Sequence, residues 1–505
     1  MTETNTASGD KPSLRSQTAR GVAWMMLLKL AIRSLSFVST LILVRLLSPE
    51  DFGLVAMAMV FIAIMDVFTW FSFDVVLIQK QTAERVHYDT AWTFNAIFKT
   101  VSGLVLLAIA LPAAHYYGEP RVSVLIAVLA VAQCISGFEN IGIVNFRKNM
   151  QFDREFRFMF LCKVAGFAVT VPLAFLLQNY WALIAGQVAS KVFAVVASYV
   201  MDDYRPRFSL AARHELFDFS KWLMLGNIFF SIRLHVTELV VGKVSGARDL
   251  GLFNVSLELS NTPTTELVAP INRAVFPAYA KVSDNLASLR SGYLSVIAVI
   301  ALIAMPAGLG IAATAELLVP VALGDQWLAA IPLFTILAVN GVLNALQTNI
   351  GSVYLALGKP KILAVLHFMQ LAVVLITVIP ATHAYGVQGA ALAFLGTSLF
   401  LAPINFAIMF RTIKLRTLTF FGELWRAAVG SVVMYFSTKY VVLALLDAAH
   451  GIATLLHLLL AVLFGVVVYT LTVAALWLLS GRPNGAESYV LDNIKSRLRR
   501  RSAQA

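Results

Sequence analysis

Apolar runs of about 20 or more residues, separated by short polar turns, succeed one another along almost the whole chain. A run of that length crosses a bilayer as a helix. The pattern predicts fourteen spanning helices, at residues 21–47, 53–78, 91–115, 121–145, 157–178, 181–201, 219–242, 252–276, 291–313, 330–357, 361–381, 387–410, 426–446 and 452–479. The stretch from Gly21 to Gly53 organises the rest: one long apolar run, a Ser48-Pro49-Glu50-Asp51 turn, then the start of a second run. It recurs. Trp222 to Gly251 repeats the Trp24-to-Gly53 spacing at a helix–turn–helix position, and both matches are offset by 198 positions. The offset spans six helices, an even number, so both copies run in the same direction, as in transporters with parallel internal repeats. The expected architecture is an all-α polytopic membrane protein with two pseudo-symmetric six-helix lobes and two C-terminal helices. Its segments are a cytoplasmic N-terminal stretch 1–20, a first lobe 21–201, an inter-lobe loop 202–218, a second lobe 219–410, helices 13–14 at 426–479 and a basic tail 480–505.

Charge placement orients the chain. With both ends inside, the inner segments hold clusters such as Arg147, Lys148, Arg154 and Arg157, or Arg497, Arg499, Arg500 and Arg501. The outer loops hold only Arg121, Lys243 and Arg248, as expected if cytoplasmic loops carry the excess of Lys and Arg. Trp24, Trp92, Trp222, Trp425 and Trp477 fall at inner ends, and Trp181 and Trp327 at outer ends, where interfacial belts place them. In the tail, Val490, Leu491, Ile494 and Leu498 share a helical face opposite Lys495, Arg497 and Arg499, which suits an interfacial helix on anionic lipid or a solvated tail.

Composition agrees. The 505 residues are 59% hydrophobic and 13% charged, about half the charge of a soluble domain. The net charge of +12 is explained by the inner loops and the tail, so nucleic acid is not expected as a partner. Cys134 and Cys162 both lie in apolar runs, which excludes a disulfide framework. No P-loop or metal-binding His spacing occurs, so no enzyme activity is expected.

The charges inside the spans carry the candidate chemistry. Lys29 and Arg33 share one face of helix 1. A central charge costs roughly 2.5–3.5 kcal/mol on insertion scales, so the pair either snorkels or faces a hydrated cavity. Lys99, Lys191 and Arg233 are the other candidates for an anionic head group. Asp66, Glu139, Glu238, Glu258 and Glu266 are the candidates for ion coupling, with Trp70 and Asp74 extending the Asp66 stripe and Lys163 near an inner end. No cofactor or metal is expected beyond a coupling H+ or Na+. Pro263, Pro270 and Pro277 are expected to break helix 8, as binding-site helices of transporters are broken, or to kink it for packing.

The segments LVRLLSPEDFGLVAMAMVFIAI (43–64), NYWALIAGQVAS (179–190), INRAVFPAYAKV (271–282), AELLVPVALGDQWLAAIPLF (315–334), GSVYLALGKPK (351–361) and YGVQGAALAF (385–394) resemble the Wzx-type oligosaccharide flippases. The likeness is to the WzxC-like branch of the MATE/MOP exporter superfamily and covers helices 1–12. It implies a bacterial inner-membrane protein that moves undecaprenyl-diphosphate-linked repeat units from the cytoplasmic to the periplasmic leaflet, by alternating access around a cationic cavity, for lipopolysaccharide, exopolysaccharide or capsule synthesis. It also implies a lipid-linked oligosaccharide and membrane lipids as partners, with a polymerase and a chain-length regulator nearby, and a monomer. No invariant catalytic residue travels with the family. A cation-coupled multidrug antiporter and a peptidoglycan-precursor flippase remain the alternatives; the depth of Arg33 and Arg233 favours an anionic substrate over a cationic drug.

Overall fold

The computed structural model describes residues 31–69, 77, 83–149, 151–446, 452–483 and 487–488; of 67–69, 214–231, 233, 234, 265, 266, 269, 270, 273, 274, 360, 446 and 452 it describes the backbone alone. Among the described residues the regular structure is helical and no strand occurs. Helix α1 covers 31–46, followed by α2 (Pro49–Thr69), α3 (Arg85–Tyr117), α4 (Arg121–Ser136), α5 (Phe152–Leu177) and α6 (Trp181–Met201). The helical run Arg213–Lys281 breaks at Gly246, giving α7 (213–245) and α8 (247–281). Then come α9 (Leu286–Ala322), the 3-10 turn Asp325–Ala330 and α10 (Ile331–Ala356). The run Pro360–Ile413 breaks at Tyr385 and Gly386 into α11 (360–384) and α12 (387–413), and α13 (Thr417–Leu446) and α14 (Ile452–Leu479) close the fold.

Eight helical segments among the described residues are long and apolar enough to cross a membrane, or nine if a bent pair counts as one span. The chain is a polytopic membrane protein. One of the eight, Lys361–Ile413, has 53 residues. At about 1.5 Å per residue it would be ~80 Å long, well over twice a ~30 Å hydrocarbon layer. It is this run that breaks, at Gly386 with φ 58°, a left-handed conformation that glycine adopts without steric cost.

Two sequence expectations about helix continuity are corrected. The fourth span, expected to run straight through 121–145, stops at Ser136 and re-forms as Ile141–Lys148 bent by 69°. Buried Asn140 makes the break: its Oδ1 accepts from the Gly142 amide at 2.9 Å and its Nδ2 donates to the Tyr204 carbonyl at 2.7 Å. Those bonds satisfy backbone groups that a helix end leaves open. Conversely, Pro263, Pro270 and Pro277 do not break α8, which stays helical through all three; its discontinuity is at Gly246 (φ 83°), before the prolines.

The chain divides into two compact units, Met1–Leu47 with Ala58–Ser231, and Ser48–Met57 with Ile232–Ala505. In the first, α3 pairs with α4 and α5 with α6. The second pair is close: a Cβ on Gly186 would lie 1.6 Å from Thr170 Oγ1, whose hydroxyl donates to the Gly166 carbonyl at 2.8 Å. The segment after α6 lies along the start of α3. Asp89 accepts from the Tyr204 hydroxyl and, at 2.8 Å, from the Arg207 amide, and the Ser209 amide donates to Thr93 Oγ1 at 3.0 Å. Burial first, and the Asp89 carboxylate second, push the Tyr204 phenol above its ordinary pKa, so it stays a donor.

In the second unit, Gly53 and Gly251, the two glycines matched by the repeat, stand at one helix crossing. A Cβ on Gly53 would fall 1.6 Å from the Ala247 carbonyl oxygen, and one on Gly251 1.8 Å from that of Pro49. Phe52 meets Trp327 edge-on at 5.6 Å, and Trp327 is fully buried. Trp92, in the first unit, is buried against Phe208 at 4.9 Å. Both tryptophans are packing residues and not the interfacial anchors their positions suggested. A core in this unit gathers Tyr293, Ile297, Ala304, Tyr354 and Phe420 from α9, α10 and α13. Helices α13 and α14 rest on α9: Lys439 pairs with Glu316 at 2.9 Å and the Tyr469 hydroxyl donates to the Leu302 carbonyl at 2.8 Å. Arg426 forks onto Glu487 through Nε–Oε1 at 2.7 Å and Nη2–Oε2 at 3.2 Å, with side chains only 5% and 10% exposed.

Candidate functional site

Four of the ten candidate residues gather inside the first unit. Gln133, 2% exposed on α4, is the centre. Its Nε2 donates to Asp66 of α2, and its Oε1 accepts from Lys191 Nζ of α6 at 2.6 Å. One turn along α4, the Ser136 carbonyl accepts from Lys99 Nζ of α3 at 3.3 Å. Glu139 follows in the break, within electrostatic reach of Lys99. An amide therefore bridges acid and base between Asp66 and Lys191, while Lys99 and Glu139 interact through their charges alone. A buried amide suits this place because it donates to an anion and accepts from a cation at once, without a net charge of its own. The Asp66 side of the node is exposed, whereas Gln133 is not. The node thus has an exposed edge and a buried centre.

Sequence reasoning collected the charges and passed over Gln133 and Ser136. The signal was present: Gln133, Ser136 and Glu139 recur every third residue in an otherwise apolar run, which places polar atoms on one helical face. Glu139 was expected on a continuous helix; it sits in a joint whose backbone bends.

The remaining candidates are dispersed. Arg33 is half-buried on α1, while Lys29, Trp70 and Asp74 lie outside the described residues, as does most of the basic tail with Val490, Leu491, Ile494, Lys495, Arg497, Leu498 and Arg499. The backbone of Arg233 and Glu266 is described, on α7 and α8, but not their side chains. Glu238 meets His235 Nδ1 at 2.9 Å one turn back on α7. Glu258 is exposed on α8, and Lys163 is exposed on α5. Several amides of the second unit act as struts between helices. Asn349 Nδ2 donates to Asn272 at 2.9 Å, Asn405 Nδ2 to Gln347 at 2.7 Å, and the Ser398 hydroxyl to Asn340 at 2.6 Å. Among the described residues no group of three His, Cys, Asp or Glu could hold a metal ion.

The fold is like that of solved membrane transporters. The structure of the lipid II flippase MurJ in an inward closed conformation superposes with a TM-score of 0.73, covering 90% of this chain and 99% of that one at 12% identity. The chain belongs to the polysaccharide biosynthesis protein family, which it matches over residues 42–332. Among its relatives, the lipopolysaccharide biosynthesis protein WzxC of Escherichia coli K12 is 25% identical over 413 residues, covering 79% of this chain and 82% of that protein. The succinoglycan biosynthesis transport protein ExoT of Rhizobium meliloti is 24% identical over 343 residues, covering 67% and 69%.

Proposed function

We propose that the protein is a flippase that carries lipid-linked oligosaccharide repeat units from the cytoplasmic to the outer leaflet of a bacterial inner membrane, for polysaccharide synthesis. The observation that carries this reading is the joint one of family and fold: a polysaccharide biosynthesis chain built like a carrier of a lipid-linked sugar precursor. The relatives' names point to polysaccharide export and none of those quoted above to drug efflux, which weighs against a multidrug antiporter. In this reading the chain crosses the membrane fourteen times, α1 to α14, with both ends in the cytoplasm, and works as a monomer. The broken runs at Gly246 and Gly386 supply the two crossings that two over-long helices would otherwise hide.

The basic residues Lys29, Arg33, Lys99, Lys191 and Arg233 would meet the diphosphate and acidic sugars. A guanidinium binds phosphate oxygens bidentately, so Arg33 is the first of these to test. Asp66 would be the coupling carboxylate, because it is exposed at the edge of the node and Gln133 links it to Lys191. Glu139, Glu238, Glu258 and Glu266 are secondary candidates. Deletion of the gene should accumulate lipid-linked repeat units on the cytoplasmic side and abolish surface polymer. Normal polymer without accumulation in the deletion strain refutes the reading.

A further inference from the structure

A cleft of about 590 Å³ opens at the ends of α9, α12 and α13, remote in sequence from the node around Gln133. Arg290, Lys414 and Arg416 line it, with Ser291 and Thr419 as further donors and Glu423 as its one acid. One of its cations is held in place by the backbone. Arg290 spends Nε on the Leu286 carbonyl and Nη1 on the Lys414 carbonyl, both at 3.1 Å, which fixes the guanidinium and leaves Nη2 to point elsewhere. Lys414 ends α12 with φ 54°, a left-handed position where glycine is the usual occupant. A lysine there is held against its backbone preference, with Lys414 and Arg416 exposed on either side of buried Leu415. Among the described residues, the ion pairs leave all three cleft cations unneutralised.

An apolar track starts at the same place. On α13, Leu418, Phe421, Trp425, Val429, Val432 and Phe436 recur at three- and four-residue intervals and are all exposed, Leu418 by 87% and Phe436 by 66%. That is one helical face turned outward. A cluster of cations at a helix end with an exposed apolar stripe running away from it matches one kind of molecule: a phosphate head joined to long acyl chains. Basic pockets between spanning helices recognise anionic lipid head groups in this way.

We propose that the cleft of Arg290, Lys414 and Arg416 is a binding site for an anionic glycerophospholipid, whose phosphate is taken by the three cations and whose acyl chains lie along the outer face of α13. Occupancy would brace α9, α12 and α13, which meet at the cleft. Purified protein in nanodiscs of phosphatidylcholine, with and without cardiolipin, provides the test, read by retained lipid in native mass spectrometry and by thermal unfolding. Cardiolipin should be retained and should raise the unfolding temperature, while inorganic phosphate should do neither. Lys414→Gln/Arg416→Gln, both at exposed positions, should weaken cardiolipin retention about tenfold. Lys359→Gln/Lys361→Gln removes equal charge at another helix junction and should leave retention unchanged. Equal retention of phosphatidylcholine, equal protection by inorganic phosphate, an unaffected Lys414/Arg416 double variant, or an equal loss in the Lys359/Lys361 control would each overturn the proposal.

Discussion

Gln133 carries two bonds that no charge-counting would find, one to Asp66 and one to Lys191. Replacing it with Leu keeps the volume and deletes both. The Lys191 ammonium then loses its acceptor in a half-buried place, and a stranded polar group costs about 1–3 kcal/mol. Gln133→Leu should therefore lower the unfolding temperature and reduce polymer export together. Thermal melting beside an export assay checks both, and an unshifted melt would dismiss the node as a stabilising element. Arg33 makes a different test. Arg33→Ala should abolish surface polysaccharide at normal membrane abundance, whereas Arg33→Lys should keep part of it, because charge survives while the planar fork is lost. At this scale the sequence exposed the charged members of the node and concealed its neutral ones. Charge in an apolar run is conspicuous whatever its neighbours, whereas a glutamine gains meaning only once α2 and α6 are known to converge on it.

Among elements, the all-helical, membrane-spanning character was legible because twenty-residue hydrophobicity is a property of the local chain. Helix breaks were not, because they depend on which backbone groups find partners from elsewhere. Asn140 terminates α4 by reaching the Tyr204 carbonyl beyond α6, and three prolines within α8 leave it helical. The repeat glycines give the sharpest element-scale prediction. At Gly53 and Gly251 an added Cβ runs into a carbonyl oxygen at 1.6 Å and 1.8 Å, so Gly53→Ala and Gly251→Ala should each exceed the ~1–3 kcal/mol usual for overpacking. Gly396, in the middle of α12 with nothing within 4 Å of its position, should behave oppositely. Gly396→Ala should gain roughly 0.5–1 kcal/mol from helix propensity alone. Chemical or thermal unfolding of the three variants side by side decides, and like behaviour of all three would refute the crossing. The α13–α14 pair leans on α9, which accounts for it as a support for the second unit. Its outer face remains apolar, with Leu460 56% and Phe464 39% exposed. Photo-crosslinkers at those two positions should label a polyprenyl probe if the tail rides there, and labelling confined to α1–α12 would exclude it.

For the whole molecule, topology and energy source are the open quantities with direct readouts. Cysteines placed beside Arg207 should react with impermeant reagents only from the cytoplasmic side, and those beside Glu119 only from outside. The loop at Glu119 also carries a mild pH signature. Its hydrogen bonds to Arg121, at 2.7 Å and 3.0 Å, hold its carboxyl below the usual range. A lowered carboxylate pKa stabilises the fold above the ordinary value and gives that up as the pH falls through the shifted one. Uptake of lipid-linked sugar into inside-out vesicles should collapse with a protonophore or on removal of sodium, and uptake indifferent to both would rule out ion coupling through Asp66.

The fork between Arg426 and Glu487 joins residues 61 positions apart in the chain. During synthesis α13 leaves the ribosome 61 residues ahead of the carboxylate that neutralises its buried guanidinium. For that interval the nascent chain holds a cation in a place made for an ion pair, and breaking such a pair costs about 3–5 kcal/mol. Chains cut short between α14 and Glu487 should therefore be less stable and be recognised by quality-control proteases. A reporter fused after Leu479 should give low-abundance, rapidly degraded protein, while the same reporter fused after Ala505 should not. Pulse-chase turnover of the two fusions, with Arg426→Gln rescuing the shorter one, distinguishes loss of the ion pair from simple loss of the tail.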